Sequence, residues 1–220
     1  MEESPVIKAV RQKVQEWIDA GNSVNSVRPL NLVNMNITEL PADIFTGCMK
    51  LRNIFLEWNY LIELPAGLFT GCSELRTVYL DNNKLTELPA GLFTGCSELN
   101  YVSLNNNKLT KLPANLFVGC SKLAYIGLNN STLTELPAGL FIGCSILRNI
   151  WFNESLIYHI LWSLPDIDIA YIACSYVKLK TKFPIEYAYV RRCRRVSNDP
   201  RSYAWDVRRH VIISIITGSC

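Results

Sequence analysis

Histidine is scarce in this chain: His159 and His210 are the only two in 220 residues. A nucleophile, a base and an orienting acid must converge within hydrogen-bond reach, and no spacing here implies such a convergence. No glycine-rich phosphate loop follows a strand pattern, and no H-E-x-x-H metal signature occurs. The sequence therefore points away from an enzyme and asks for no cofactor, metal or small-molecule substrate. Long apolar runs are missing too. The longest, residues 211–216, is interrupted by Ser214 and falls far short of the ~20 residues that cross a bilayer. The opening Met1-Glu2-Glu3-Ser4-Pro5 has neither the basic start nor the apolar middle of a secretory signal. Glycine (11) and proline (10) are too few for a collagen-like or low-complexity chain. With 49% hydrophobic and 19% charged residues and a net charge of +3, the composition is that of a folded protein. One domain, or one with an appendage, is the expectation.

Cysteine, by contrast, is plentiful, and its spacing decides the architecture. Of the eight cysteines, Cys48, Cys72, Cys96, Cys120 and Cys144 recur every 24 residues. Blocks begin at Val27, Leu51, Leu75, Leu99, Leu123 and Leu147; the third reads LRTVYLDNNKLTELPAGLFTGCSE. Apolar residues fall at positions 1, 4, 6, 11, 14 and 18, with Phe at 19 in five blocks and Cys at 22. The opening L-x-x-L-x-L alternates with period two, which predicts a short strand with one buried face. One such strand cannot bury that face alone, whereas stacked copies pair in parallel and align their leucines into a continuous core.

These blocks resemble the 24-residue "typical" leucine-rich repeat, L-x-x-L-x-L-x-x-N-x-L-x-x-L-P-x-x-L-F-x-x-(L/C)-x-x, over about residues 27–168. The Gly-Cys at positions 21 and 22 is similar, more faintly, to the F-x-x-C segment of BspA-like repeats. The resemblance implies an α/β repeat solenoid: a horseshoe with a parallel concave β-sheet, a short irregular or 3-10 convex side, and helical caps. It also implies protein recognition.

Each repeated residue then has a physical task. Asn59, Asn83 and Asn107 at position 9 stand where a side-chain amide can bond backbone groups of its own turn and the next. Ser131 and Ser155 partly replace it; Met35, in the first block, cannot. Pro41, Pro65, Pro89, Pro113 and Pro137 fix φ at the turn onto the convex side. Phe45, Phe69, Phe93, Phe117 and Phe141 predict a stacked aromatic spine. The cysteine column reads as core thiols in a position the family usually gives to leucine. One cysteine per coil makes no tetrahedron for a metal. Without the cysteine-capped ends of the family's exported members, a reducing, cytoplasmic setting is expected.

The ends divide the chain into residues 1–26, 27–168 and 169–220. Residues 4–20 read as an amphipathic capping helix, with Ser4 as N-cap, Pro5 at N1, Gly21 as stop, and a stripe of Val6, Val10, Val14, Trp17 and Ile18. Residues 169–174 repeat L-x-x-L-x-L as a degenerate seventh strand, and Asp199-Pro200 opens a C-terminal capping helix. Residues 1–168 carry 12 basic and 16 acidic side chains, residues 169–220 carry 10 and 3. The basic excess centres on Arg191, Arg192, Arg194 and Arg195. It suggests a solvated cap loop or, as an alternative function, a segment that binds nucleic acid or acidic membrane with the repeats as scaffold.

The favoured function is a non-catalytic protein–protein recognition module that binds a protein or peptide through the concave face. With positions 4 and 6 inward, positions 3, 5 and 7 face out and position 8 ends the strand. This selects Asn53, Phe55, Glu57, Trp58, Thr77, Tyr79, Asp81, Tyr101, Asn105, Tyr125, Asn129, Trp151 and Asn153. Aromatics on a rigid sheet flanked by Asn and acidic groups have the composition of a protein-binding face, with Glu57 and Asp81 favouring a basic partner. The plainer reading is that the aromatics only pack on one another along the ladder.

Overall fold

A computed structural model describes residues 3–20, 28–129, 131–147 and 149–152. It opens with helix α1, Pro5–Ala20. The Ser4 hydroxyl accepts a hydrogen bond from the Ile7 N–H at 3.2 Å, the expected N-cap. The helix buries Ile7, Val10 and Val14 and leaves Val6, Trp17 and Ile18 half-buried against the core. Ile7, absent from the expected stripe, lies on its midline, since i, i+3 and i+7 share one helix face. Arg11 ties the helix to the first coil, its guanidinium 3.0 Å from the Asp43 carboxylate.

Six strands follow: β1 Leu30–Asn31, β2 Asn53–Phe55, β3 Thr77–Tyr79, β4 Tyr101–Ser103, β5 Tyr125–Leu128 and β6 Asn149–Phe152. They form one parallel sheet in chain order. The register is one coil per strand, Asn53 opposite Thr77, Thr77 opposite Tyr101, Tyr101 opposite Tyr125, and Tyr125 opposite Asn149. Equal block length favours this: a one-residue slip would carry the inward Ile54, Val78, Val102, Ile126 and Ile150, all buried, to the wrong face, and a longer one would leave the equal coils out of step. The structure is therefore the parallel-sheet solenoid of a leucine-rich repeat. The expected seventh strand, the C-terminal cap and Gly21 lie outside the described residues.

On the opposite side each coil returns through successive turns. In the first, N–H groups of Ile44, Thr46, Cys48 and Leu51 donate to the carbonyls of Pro41, Asp43, Phe45 and Cys48, three residues back. These are 3-10-type bonds, as the short convex segment requires. Gly47, Gly71, Gly95, Gly119 and Gly143 hold φ between 85° and 89° there. An added Cβ would meet nothing within 4 Å, so left-handed backbone, not crowding, demands glycine. Beneath lie the five phenylalanines, ring centroids 5.7–6.2 Å apart and nearly parallel.

The asparagine ladder is present, but it reaches backward. Asn83 Oδ1 accepts from the Leu61 N–H of the preceding coil at 3.1 Å, and its Nδ2 donates to Leu56 and Leu80 carbonyls at 3.0 and 3.2 Å. Asn59 likewise accepts from Met35 and Ile37 N–H groups. Met35 thus donates its N–H to Asn59 while its own side chain offers no amide to continue the ladder, and the Ser131 hydroxyl donates to the Leu128 carbonyl of its own coil at 2.9 Å.

The five repeat cysteines are buried free thiols. Cys96 and Cys120 point their sulfurs at the Phe69 and Phe93 carbonyls, 3.9 and 3.8 Å away. Burial, with a smaller contribution from the thiols of adjacent coils, pushes Cys72 and Cys96 up to about 12. Against an ordinary thiol near 8.5, that removes roughly a thousandfold of the thiolate available at pH 8. We expect a disulfide reagent at pH 8 to leave these five thiols untouched in native protein and to titrate them only after denaturation. The sign for stability follows. The unfolded chain ionises first, so the thiols' contribution is intact below their unfolded value and is lost as pH rises toward the folded one. Fast labelling of the native column would refute the buried assignment.

Candidate functional site

Three residues per strand and the two that follow build the outward face of the sheet. At position 3, Thr77, Tyr101 and Tyr125 are half-buried, as is Asn53; at position 5, so are Phe55, Tyr79 and Trp151. The aromatics form one unbroken row across five adjacent strands. Phe55 meets Tyr79 edge-on at 5.3 Å, and Tyr79 meets Tyr101 at 5.0 Å. Tyr101 and Tyr125 lie 6.2 Å apart, and Tyr125 stacks on Trp151 at 6.1 Å. The row passes from position 5 to position 3 and back, because Ser103 and Gly127 occupy position 5 in the middle coils. Contacts of this kind contribute about 0.5–1.5 kcal/mol each and fix the rings in place.

Ser103 and Gly127, outward by sequence, are buried. The Asn105 side chain covers them: a Cβ added at Gly127 would stand 2.6 Å from Asn105 Nδ2. Asp81 Oδ1 accepts from the Ser103 hydroxyl at 2.5 Å and from the Asn105 side-chain amide at 2.7 Å. Asn105 Oδ1 in turn accepts from the Asn129 N–H at 2.8 Å. Asp81, Asn105 and Asn129 therefore form a polar rail beside the aromatic row. Glu57 begins it. Burial, and secondarily the Asp81 charge, raise its carboxyl above the ordinary range, and its Oε2 is buried without a hydrogen-bond partner among the described residues.

Position 8 is left-handed in four successive coils, at Asn34, Trp58, Asn82 and Asn106, with φ of 55–58°. Asparagine tolerates this region because its short polar side chain bonds locally; other side chains pay about 1–2 kcal/mol. Trp58 carries that strain while 62% exposed. Two neighbours escape the sequence reading, Tyr60 (45% exposed) and Ile62 (54%). The signal lay in the columns. In the first, third, fourth and fifth blocks position 10 is Asn36, Lys84, Lys108 or Thr132 and position 12 is Thr38, Thr86, Thr110 or Thr134; the sixth block departs as well, with Leu156 and Tyr158. Asn153, with Arg191, Arg192, Arg194 and Arg195 of the basic segment, lies outside the described residues, as do both histidines. Among the described residues no group of three or more His, Cys, Asp or Glu is placed to hold a metal, and no helix is long and apolar enough to cross a membrane.

Comparison with known proteins agrees with this geometry. The family described as "BspA type Leucine rich repeat region" matches residues 38–161 in six copies, more than half of the chain. The fainter sequence likeness, the Gly-Cys segment, thus marks the family. No curated protein matches. Among solved structures, the glycosylated Toll–Spätzle complex, "a molecular hub in Drosophila development and innate immunity", matches at 30% identity with a TM-score of 0.53. That match covers 61% of this chain and 19% of the other. An assembly of Latrophilin 3, Unc5D and the leucine-rich repeats of FLRT2 matches at 22% identity, covering 64% and 44%, with a TM-score of 0.52, and shows the fold. This chain therefore spans less than half the length of either match.

The expectation of a cytoplasmic protein is overturned by these matches, since the Toll ectodomain is an extracellular receptor domain. The physical reason is that the thiols carry no compartment signal. Burial in the core already accounts for their free state, with no need of a reducing milieu.

Proposed function

The chain belongs to the BspA-type leucine-rich repeat proteins, and we propose that it recognises a protein partner through the outward face of its parallel sheet. Solenoids of this class are non-catalytic interaction scaffolds. The observation that carries the reading is the aromatic row from Phe55 to Trp151, half-buried and held ring against ring. Mutual packing and binding are not rival explanations for these rings. Rings already ordered by their neighbours lose little freedom when a partner covers them, which lowers the entropic cost of association. The polar rail alongside supplies hydrogen bonds fixed in direction. The Toll structure is itself a complex with a protein, Spätzle.

The test is affinity capture with the intact chain at low and moderate salt, followed by titration of the captured protein against Tyr79→Ala and Tyr101→Ala. Each substitution is expected to weaken binding by about 1 kcal/mol or more and, because each ring loses its packed neighbours, to lower the melting temperature while leaving the protein folded. Unchanged affinity for both variants removes the sheet face from the reading. Capture of nucleic acid that washes off with salt, equally from all variants, replaces it with electrostatic binding.

A further inference from the structure

Which part of the face selects the partner is a separate question, and at the strand exit the second coil stands apart from the first, third, fourth and fifth. At positions 8, 10 and 12 the other described coils carry only Asn, Lys or Thr, exposed or nearly so. Here all three positions switch together to Trp58, Tyr60 and Ile62, each among the most exposed large apolar side chains described. Core packing does not require them, since the same backbone folds in neighbouring coils with polar residues. Trp58 also holds a left-handed backbone that asparagine would hold without strain. A lone exposed apolar residue means little, but three at alternate positions of one strand-exit loop, all exposed, concentrate apolar surface in one short segment.

Charge beside the patch indicates what covers it. Glu57 immediately precedes Trp58, and Asp81 occupies the same position in the next coil; the equivalents further along are the neutral Asn105 and Asn129. Among the described residues neither carboxylate has an ion-pair partner, and Glu57 Oε2 is buried without a hydrogen bond. Two adjacent, partly desolvated carboxylates repel each other, and a cation between them removes that repulsion. Tyr60 already carries one cation, with Lys84 Nζ 4.6 Å from its ring centroid, so the vacant demand for positive charge is at the carboxylates.

We propose that Trp58, Tyr60 and Ile62, with Glu57 and Asp81, take a protein segment in which a lysine or arginine side chain adjoins apolar ones. The cation faces the carboxylates and the apolar side chains cover the indole, phenol and isoleucine. The inference rests on the sheet face being a protein-recognition surface.

The test selects a phage-displayed library of random twelve-residue peptides on the intact chain and titrates the synthetic winners against three variants. One is Trp58→Asn/Tyr60→Lys/Ile62→Thr, which copies Asn82, Lys84 and Thr86 of the next coil and should melt no lower than the parent. The second is Glu57→Gln, and the third is Tyr101→Ala. Winners are expected to pair a basic residue with apolar neighbours and to lose at least tenfold in affinity for the first two variants. Winners that weaken only on Tyr101→Ala overturn this inference and leave the sheet-face reading standing. Winners indifferent to all three overturn both, and a selection that returns no basic–apolar peptide overturns the inference by itself.

Discussion

Asn83→Ala is expected to destabilise the protein by about 3 kcal/mol, with Asn83→Asp at least as damaging and Asn83→Ser milder. The order follows from what each bond's partner has left. The Leu56 carbonyl accepts from Asn59 as well as Asn83, and the Leu80 carbonyl from Asn107 as well as Asn83. Both therefore keep one donor when Asn83 is removed. The buried Leu61 N–H, whose bond is to Asn83 Oδ1, keeps none. An orphaned buried donor costs about 1–3 kcal/mol, and the space left by the amide adds to it. Aspartate restores an acceptor for Leu61 but turns an anion toward three carbonyl oxygens, those of Leu56, Leu80 and Asp81. Serine keeps a donor, and Ser131 shows that such a side chain settles on its own coil's carbonyl. Urea unfolding monitored by circular dichroism checks the series. Equal midpoints for Ala and Ser would mean that the amide acts by filling space and not by bonding across coils.

The same asparagines show how far sequence reached. A fixed 24-residue period settles the strand register, because coils of equal length place Ile54, Val78 and Val102 side by side on the buried face. Period also settles the phenylalanine spine, since equal spacing along the chain becomes equal spacing in space. Contacts that depend on side-chain direction were beyond that logic. Position 9 announces a bonded amide without saying whether it reaches to the next coil or the previous one. Tyr79 touching Tyr101 is a diagonal from position 5 to position 3, and it arises because Ser103 is small. Gly127 is buried because Asn105, just past the neighbouring strand β4, folds over it. Tyr60 and Ile62 are a different case. They were legible as departures from their columns, but a search for outward strand positions stops at position 8. The core thiols were misleading on compartment, since a residue that never meets solvent reports nothing about solvent.

Phe93→Ala is expected to cost more than any single truncation at the ends of the spine, about 4 kcal/mol. Phe93 has no exposed surface, and its ring lies 5.7 Å from Phe69 and 5.8 Å from Phe117. Emptying a buried phenylalanine site costs roughly 3–5 kcal/mol through lost burial and the cavity left behind, and two ring contacts disappear with it. Phe45, by contrast, stacks on Phe69 alone among the described rings, and its outer side faces the helix end of the stack. Phe45→Ala should therefore cost about 1 kcal/mol less than Phe93→Ala, the difference being one aromatic contact. The distinction has a mechanistic consequence in a solenoid, where each coil is stabilised by its two neighbours. A hole at Phe93 weakens the interfaces on both sides at once, so unfolding should remain a single transition with a lowered midpoint in urea. A hole at Phe45 loosens an end, and should appear first as faster amide exchange near the first coil, with the midpoint for the rest little changed. If both variants shift the midpoint equally and fray alike, the spine contributes as five separate burials, and the stacking of one coil on the next is incidental to the stability of the recognition face.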